Sequence, residues 1–325
     1  MSVLTRPAVL LATTAVAAGL LAAPGTAYAA GTTTQLTAAE MTAAMKSVAA
    51  ASTTAGAAGW KSTTAFSAAV FGAAANETVL YDRTHGLYSD SLTVQGSGSL
   101  HLFLADGRGV YQSISAARQR SALKMMGRSS VKYTFTADKS VDVDQYGATP
   151  ASLAAGYQEA GTKTANDDGS ADYTFTDDGA KVTLHVSAAG ALTGAHAAEG
   201  AMQVTLAYTY GRQTVTLPTS SATIASGTLA GGVAYLDMAT VVQRAATAGA
   251  ADTRKAAKGG TVKVANLRKI VGRDAAAANK AIAVSMVKVK SITGGVRVYA
   301  TNPWTRKTVA YTVKASGKKV AVKKA

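Results

Sequence analysis

Cysteine is absent from all 325 residues. That absence excludes disulfides, thiolate metal sites, cysteine nucleophiles and an acylated N-terminal cysteine, so stability has to come from a packed core. Aromatic residues make up only 6% of the chain, beside 31 glycines, which predicts a thin, β-rich core of small side chains. The four histidines, His85, His101, His185 and His196, lie far apart in sequence, with no HExxH-like spacing. His101 and His185 read as structural strand residues. Asp142-Val143-Asp144-Gln145-Tyr146-Gly147 begins like a calcium loop, but Tyr146 takes a ligand position and Leu153 stands where the bidentate Glu belongs. Gly96-Ser97-Gly98-Ser99 is neither a nucleophile elbow nor a phosphate-binding loop. The acidic cluster Asp167, Asp168, Asp172, Asp177 and Asp178 fits two solvated turns. No cofactor, metal or catalytic residue is expected, and the chain reads as a non-enzyme.

What is present begins with an address. Arg6 precedes an apolar run from Ala8 to Ala23, and Ala27-Tyr28-Ala29 puts small residues at both positions a signal peptidase requires. Thr13, Thr14 and Gly19 interrupt the run, which is shorter than the ~20 residues that span hydrocarbon. Residues 1–29 are therefore expected to be a cleaved signal peptide. The mature chain is then secreted, extracytoplasmic and associated with the cell envelope, without a transmembrane segment.

The net charge of +15 is unevenly spread. Residues 30–253 hold 14 Lys+Arg against 17 Asp+Glu, whereas residues 254–325 hold 18 Lys+Arg against Asp274 alone. Such a contrast predicts two modules with different partners. We expect one domain over 30–218 and a linker over 219–260 carrying one amphipathic helix marked by Leu236, Ala239, Val242 and Ala246. A small basic α+β domain over 261–325 completes the chain.

In the larger module, Thr37 and Glu40 form a capping-box signature before a helix carrying Met41, Met45 and Val48. Thr149-Pro150 starts a second helix, with Gly161 as its stop, and Ser115 to Met126 is a third. Elsewhere apolar residues alternate, as in Val131, Tyr133 and Phe135, in Val182, Leu184 and Val186, and in Val204, Leu206 and Tyr208. Asp106-Gly107, Asp168-Gly169 and Asp178-Gly179 read as hairpin turns between such runs. Mostly sequential antiparallel pairing follows.

The closing hairpins are the most suggestive stretch. Tyr173-Thr174-Phe175-Thr176 is followed by Val182 to Val186, Gly190 to Leu192, Val204 to Tyr208, and Tyr210 to Pro218, a short strand running into a proline. Over residues 36–218 this order resembles the LolA-like family of bacterial lipoprotein carriers and the related actinobacterial glycolipid-carrier lipoproteins. The resemblance implies an α+β fold: a strongly bent, incompletely closed antiparallel sheet, a half-barrel with helices on its concave side. It also implies an apolar cavity for acyl chains. The larger apolar residues Trp60, Phe66, Phe71, Leu102, Met125, Met126, Tyr133, Phe135, Leu153 and Tyr157 are then candidates for the lining, and each is equally explained as ordinary core.

In the basic module a strand at Val262 and Val264, a helix from about Leu267 to Ala283, and strands near 285–291, 295–301, 307–314 and 319–323 are expected. By parity one sheet face is apolar. The opposite face would present Lys263, Lys288, Lys290, Arg297, Tyr299, Lys314, Lys319 and Lys323, with Trp304 and Arg306 beside a hairpin tip at Asn302-Pro303. So cationic a face predicts an anionic partner, either phospholipid headgroups or an envelope polymer. Export and the scarcity of aromatics for base stacking argue against nucleic acid. The combined expectation is a carrier of lipid or acylated ligands held at an anionic surface. The alternative is an adhesion or sensor protein that binds a protein or anionic wall polymer without lipid.

Overall fold

The structure is a computed structural model that describes residues 31–68 and 73–325. The expected signal peptide and Phe71 lie outside the described residues. Two compact units emerge: residues up to Ser113 with Ala137–Leu217, and Ile114–Thr136 with Pro218–Ala325.

The first unit is a curved, unclosed antiparallel sheet. Its strands are β1 (Thr32–Leu36), β2 (Trp60–Ala68), β3 (Ala73–Asp82), β4 (Leu87–Val94), β5 (Gly98–Ala105) and β6 (Gly109–Ser113). A second group follows after residues 114–136, which belong to the other unit: β8 (Gly161–Ala165), β9 (Ala171–Asp177), β10 (Ala180–Val186), β11 (Leu192–Glu199) and β12 (Met202–Tyr210). Their order is β1-β8-β9-β10-β11-β12-β2-β3-β4-β5-β6. Sequence neighbours pair through tight turns; Asp178 and Gly179 both have positive φ, 47° and 90°, as a two-residue hairpin needs.

Helix α1 (Ala38–Ala55) begins at the predicted capping box: Thr37 Oγ1 accepts the Glu40 N–H at 3.3 Å, and Glu40 Oε2 accepts the Thr37 N–H at 2.8 Å. Met41, Met45, Val48 and Ser52 form its buried stripe, at the spacing that keeps one helical face inward. The stripe packs with Tyr173, Phe175, Val182, Leu184 and Leu192 of the sheet. Ser52 Oγ accepts the Leu192 N–H at 2.9 Å, which ties the helix to β11. Helix α3 (Pro150–Ala155) lies beside α1. It ends at Gly156 rather than at Gly161. Gly161 instead lies in β8, where a Cβ would fall 2.3 Å from the Thr174 carbonyl oxygen and 3.1 Å from Met41 Cε. A glycine there permits close approach of backbone and helix.

The second unit takes in α2 (Ala117–Met125) and β7 (Tyr133–Ala137), with β13 (Thr223–Ala225) pairing parallel to β7. The stretch expected as a linker is largely helical: α4 (Ser226–Leu236) and α5 (Met238–Ala256). Its run of Gly, Ala and Thr serves close packing, because a Cβ on Gly232 would lie 2.4 Å from Met126 Sδ. Helix α6 (Val264–Ala281) runs unbroken through Gly272. No strand forms at Val262 to Val264, since Lys263 is the N-cap of α6. Finally β14 (Lys288–Ile292), β15 (Gly295–Thr301), β16 (Thr308–Ser316) and β17 (Lys319–Lys324) form a meander sheet in sequence order. Val242 and Ala246 of α5 and Leu267 and Val271 of α6 pack with Val296, Val298, Val313 and Val320.

Candidate functional site

Cross-strand registers assign the helix-facing side of the first sheet row by row. Across β12, β2, β3, β4 and β5, Tyr210, Trp60, Tyr81, Tyr88 and Leu104 face one another in one row. Tyr208, Ser62, Val79, Asp90 and Leu102 form the next, then Leu206, Thr64, Glu77, Leu92 and Leu100, and then Val204, Phe66, Ala75 and Val94. The first row is buried except for a half-buried Tyr210, with Trp60 and Tyr81 centroids 5.7 Å apart and Trp60 edge-on to Tyr208 at 5.8 Å. Burial then fades along the strands. Phe66, Leu92, Val94, Val204 and Leu206 are half-buried, and Leu100 is 48% exposed. Helices α1 and α3 pack toward β11, so the far rows of β2 to β5 present an apolar surface that these helices do not fill.

Two carboxylates interrupt that surface. Glu77 and Asp90 occupy positions of apolar parity, and burial, reinforced by Glu77, pushes the Asp90 carboxyl up to about 6. Burial likewise raises Glu77, against a hydrogen bond from Thr64 that lowers it. Asp90 Oδ1 is buried without a hydrogen-bond partner among the described residues. Burial is also the largest cause raising the hydroxyl pKa values of Tyr88 and Tyr208, with the Asp90 charge second for Tyr88 and Tyr210 second for Tyr208.

At the buried end of the face a cleft of about 170 Å³ opens beside the end of α1 and the start of α3. Trp60, Tyr81, Val143, Tyr146 and Pro150 give it apolar walls, and Arg83 and Asp144 stand at its polar side. Tyr81 donates its hydroxyl to Asp144 Oδ1, and Arg83 Nη2 lies 4.0 Å from Asp144 Oδ2. Elsewhere His85 Nδ1 lies 2.8 Å from Asp82 Oδ2, and His185 Nδ1 lies 2.7 Å from Asp172 Oδ1. Among the described residues no group of three or more His, Cys, Asp or Glu side chains could hold a metal ion, and no helix is long and apolar enough to cross a membrane.

The expected lipid-lining residues divide between the two units. Trp60, Phe66 and Leu102 share the inner sheet face, while Leu153 and Tyr157 pack against the same core, Tyr157 with its ring 4.7 Å from Phe175. Met125, Met126, Tyr133 and Phe135 belong to the second unit. There Met125 and Met126 pack with Ile224, Leu229 and Trp304, and Asn302 Nδ2 donates to Met125 Sδ at 3.1 Å. Sequence reasoning overlooked Glu77 and Asp90. Their signal is parity: in the alternate positions Glu77, Val79 and Tyr81, and again in Tyr88, Asp90 and Leu92, a carboxylate stands in an apolar series.

Of the expected cationic residues, Lys288, Lys290, Arg297, Tyr299, Lys314, Lys319 and Lys323 fall on the sheet face opposite the helix-packed valines. Lys263 instead stands at the N-cap position of α6. Trp304 packs edge-on to Tyr235 at 5.5 Å, and Arg306 is exposed in the β15–β16 loop.

The fold class is thus α+β, built on a curved, unclosed antiparallel sheet with a separate small sheet. No protein-family model and no curated protein matches the chain. Solved structures similar to it in part include the following three. LprF from Mycobacterium bovis is 9% identical, covering 57% of this chain and 98% of its own, with a TM-score of 0.32. The lipoprotein LppX from Mycobacterium tuberculosis is 10% identical, covering 55% and 98%, with a TM-score of 0.30. An uncharacterized conserved protein from Thermus thermophilus is 9% identical, covering 55% and 96%, with a TM-score of 0.29. Overlap this slight transfers no ligand to the chain.

Proposed function

We propose that the protein is a secreted, non-catalytic binder of lipid or acylated ligands. The hydrocarbon would lie along the far rows of the inner sheet face. One observation carries the reading: burial decays along that face from Trp60 and Tyr88 to a half-buried Phe66 and Leu92 and an exposed Leu100. A dozen methylenes at ~0.8 kcal/mol each would contribute about 10 kcal/mol before association costs are subtracted, so no covalent step is needed. Phe66 and Leu102 remain the proposed contacts, with Leu92 and Leu100 added, whereas Trp60, Leu153 and Tyr157 pack in the core that closes the other end of the face. Residues 30–325, secreted by a native host, should yield a co-purifying lipid on organic extraction and mass spectrometry. A clean apo protein that also refuses fatty-acid probes would sink the reading.

The adhesion or sensor reading has one observation in its favour. The cleft beside α1 measures about 170 Å³, below the ~300–1,000 Å³ usual for small-molecule pockets. A stable protein partner recovered without any lipid would select it.

A further inference from the structure

The second unit's small sheet has two unlike faces. Val289, Val296, Val298, Val313, Val320 and Val322 point toward the helices. The other face carries Lys288, Lys290, Arg297, Lys314, Lys319 and Lys323, all exposed. Register aligns three of these cations in a single row across the sheet: Lys290 is opposite Arg297, Arg297 opposite Thr312, and Thr312 opposite Lys323. Neighbouring strands lie ~4.8 Å apart and same-face residues along a strand ~6.8 Å apart, so Lys288, Lys290 and Arg297 each have another cation within a Debye length at physiological salt, and Lys314, Lys319 and Lys323 have one on the nearest diagonal. Like charges placed directly opposite, as Lys290 and Arg297 are, destabilise a sheet. No ion pair among the described residues includes any of the six. The one acidic residue after position 253, Asp274, is bound by Arg273 on α6.

We propose that this face docks on the headgroup plane of an anionic phospholipid bilayer. The proposal is independent of the hydrocarbon reading of the first unit. Its side-chain chemistry selects the bilayer over a specific polymer. All but one of the cations are lysines, compact point charges suited to a diffuse plane of phosphates, whereas ordered recognition of single phosphates favours the arginine fork. The lone arginine is engaged over the Tyr299 ring, 5.6 Å from its centroid. Tyr299, half-buried, is the one aromatic on the face, too little for base stacking along a nucleic acid and in keeping with tyrosine's preference for the headgroup level.

The test is co-sedimentation of the secreted full-length protein with phosphatidylcholine vesicles, with and without about 30% phosphatidylglycerol, at about 50 and 500 mM NaCl. Binding should be at least ~10-fold tighter to the anionic vesicles and collapse at the higher salt. Lys290→Glu, Arg297→Glu and Lys323→Glu together should remove that preference. Lys255→Glu, Lys269→Glu and Lys280→Glu, an equal charge change on the exposed helix surfaces, should leave affinity within about twofold, with circular dichroism confirming the fold of both variants. Equal loss in the two variants, persistent binding of the row variant, or no preference for phosphatidylglycerol overturns the proposal. So does displacement from vesicles by DNA or a soluble wall polymer at equal phosphate concentration.

Discussion

The two units place charge on their sheets in opposite ways. In the first, two carboxylates, Glu77 and Asp90, sit among apolar residues on the inner face, and Asp90 Oδ1 lacks a partner among the described residues. In the second, six cations occupy the solvent face while the inner face packs on the helices through Val296, Val298, Val313 and Val320. Period-two alternation builds both sheets. The second keeps to it closely enough that its charge becomes a surface property, whereas the first breaks it, and the break costs burial of charge.

Helix packing in the second unit offers the largest expected effect. A Cβ on Gly249 of α5 would fall 2.8 Å from Val271 Cγ2 and 3.0 Å from Val271 Cα. Gly249→Val should therefore cost about 1–3 kcal/mol by overpacking the α5–α6 contact. The chain's 2 tryptophans, Trp60 and Trp304, fall one in each unit, so single-tryptophan variants report on each separately. The Trp304 melting midpoint should drop while that of Trp60 stays; an equal shift in both would break the division into two cooperative units.

A smaller effect sharpens the contrast in buried charge. Because burial and Glu77 raise the Asp90 carboxyl from its ordinary value near 3.8 to about 6, the folded protein holds a proton that the unfolded chain releases. Stability from this group is fully present below pH ~3.8 and is lost as pH rises through ~6. Asp90→Asn should accordingly raise the melting temperature at pH 7.5, with the gain vanishing near pH 4. A variant no more stable than the parent at pH 7.5 would mean that Asp90 is solvated.

Much of this was legible in the sequence where local rules decide the outcome. The Thr37–Glu40 box, the Met41, Met45 and Val48 stripe, and the cationic parity of Lys290, Arg297 and Lys323 are all set by neighbours a few residues away. The 226–236 stretch was not, because a linker and a close-packed helix draw on the same small residues; only the approach of Gly232 to Met126 distinguishes them. Met125, Met126, Tyr133 and Phe135 follow the meander directly in sequence and so read as part of it. Their unit is decided by α4 and the parallel β7–β13 pairing, about ninety residues downstream, and such non-local contacts leave no local signal. Asp90 was legible as a parity violation, yet its burial depends on Leu102 and Val79 across the strands.

On the proposed function, the open rows of the first sheet hold hydrocarbon. The most direct test is fluorescence titration of the lipid-stripped protein with a single-chain acyl probe, in the parent and in a Phe66→Glu, Leu100→Glu variant. Saturable binding that weakens at least ~10-fold in the variant, with an unchanged melting temperature, is the expected result. Equal affinity in the two proteins, or none in the parent, would contradict it.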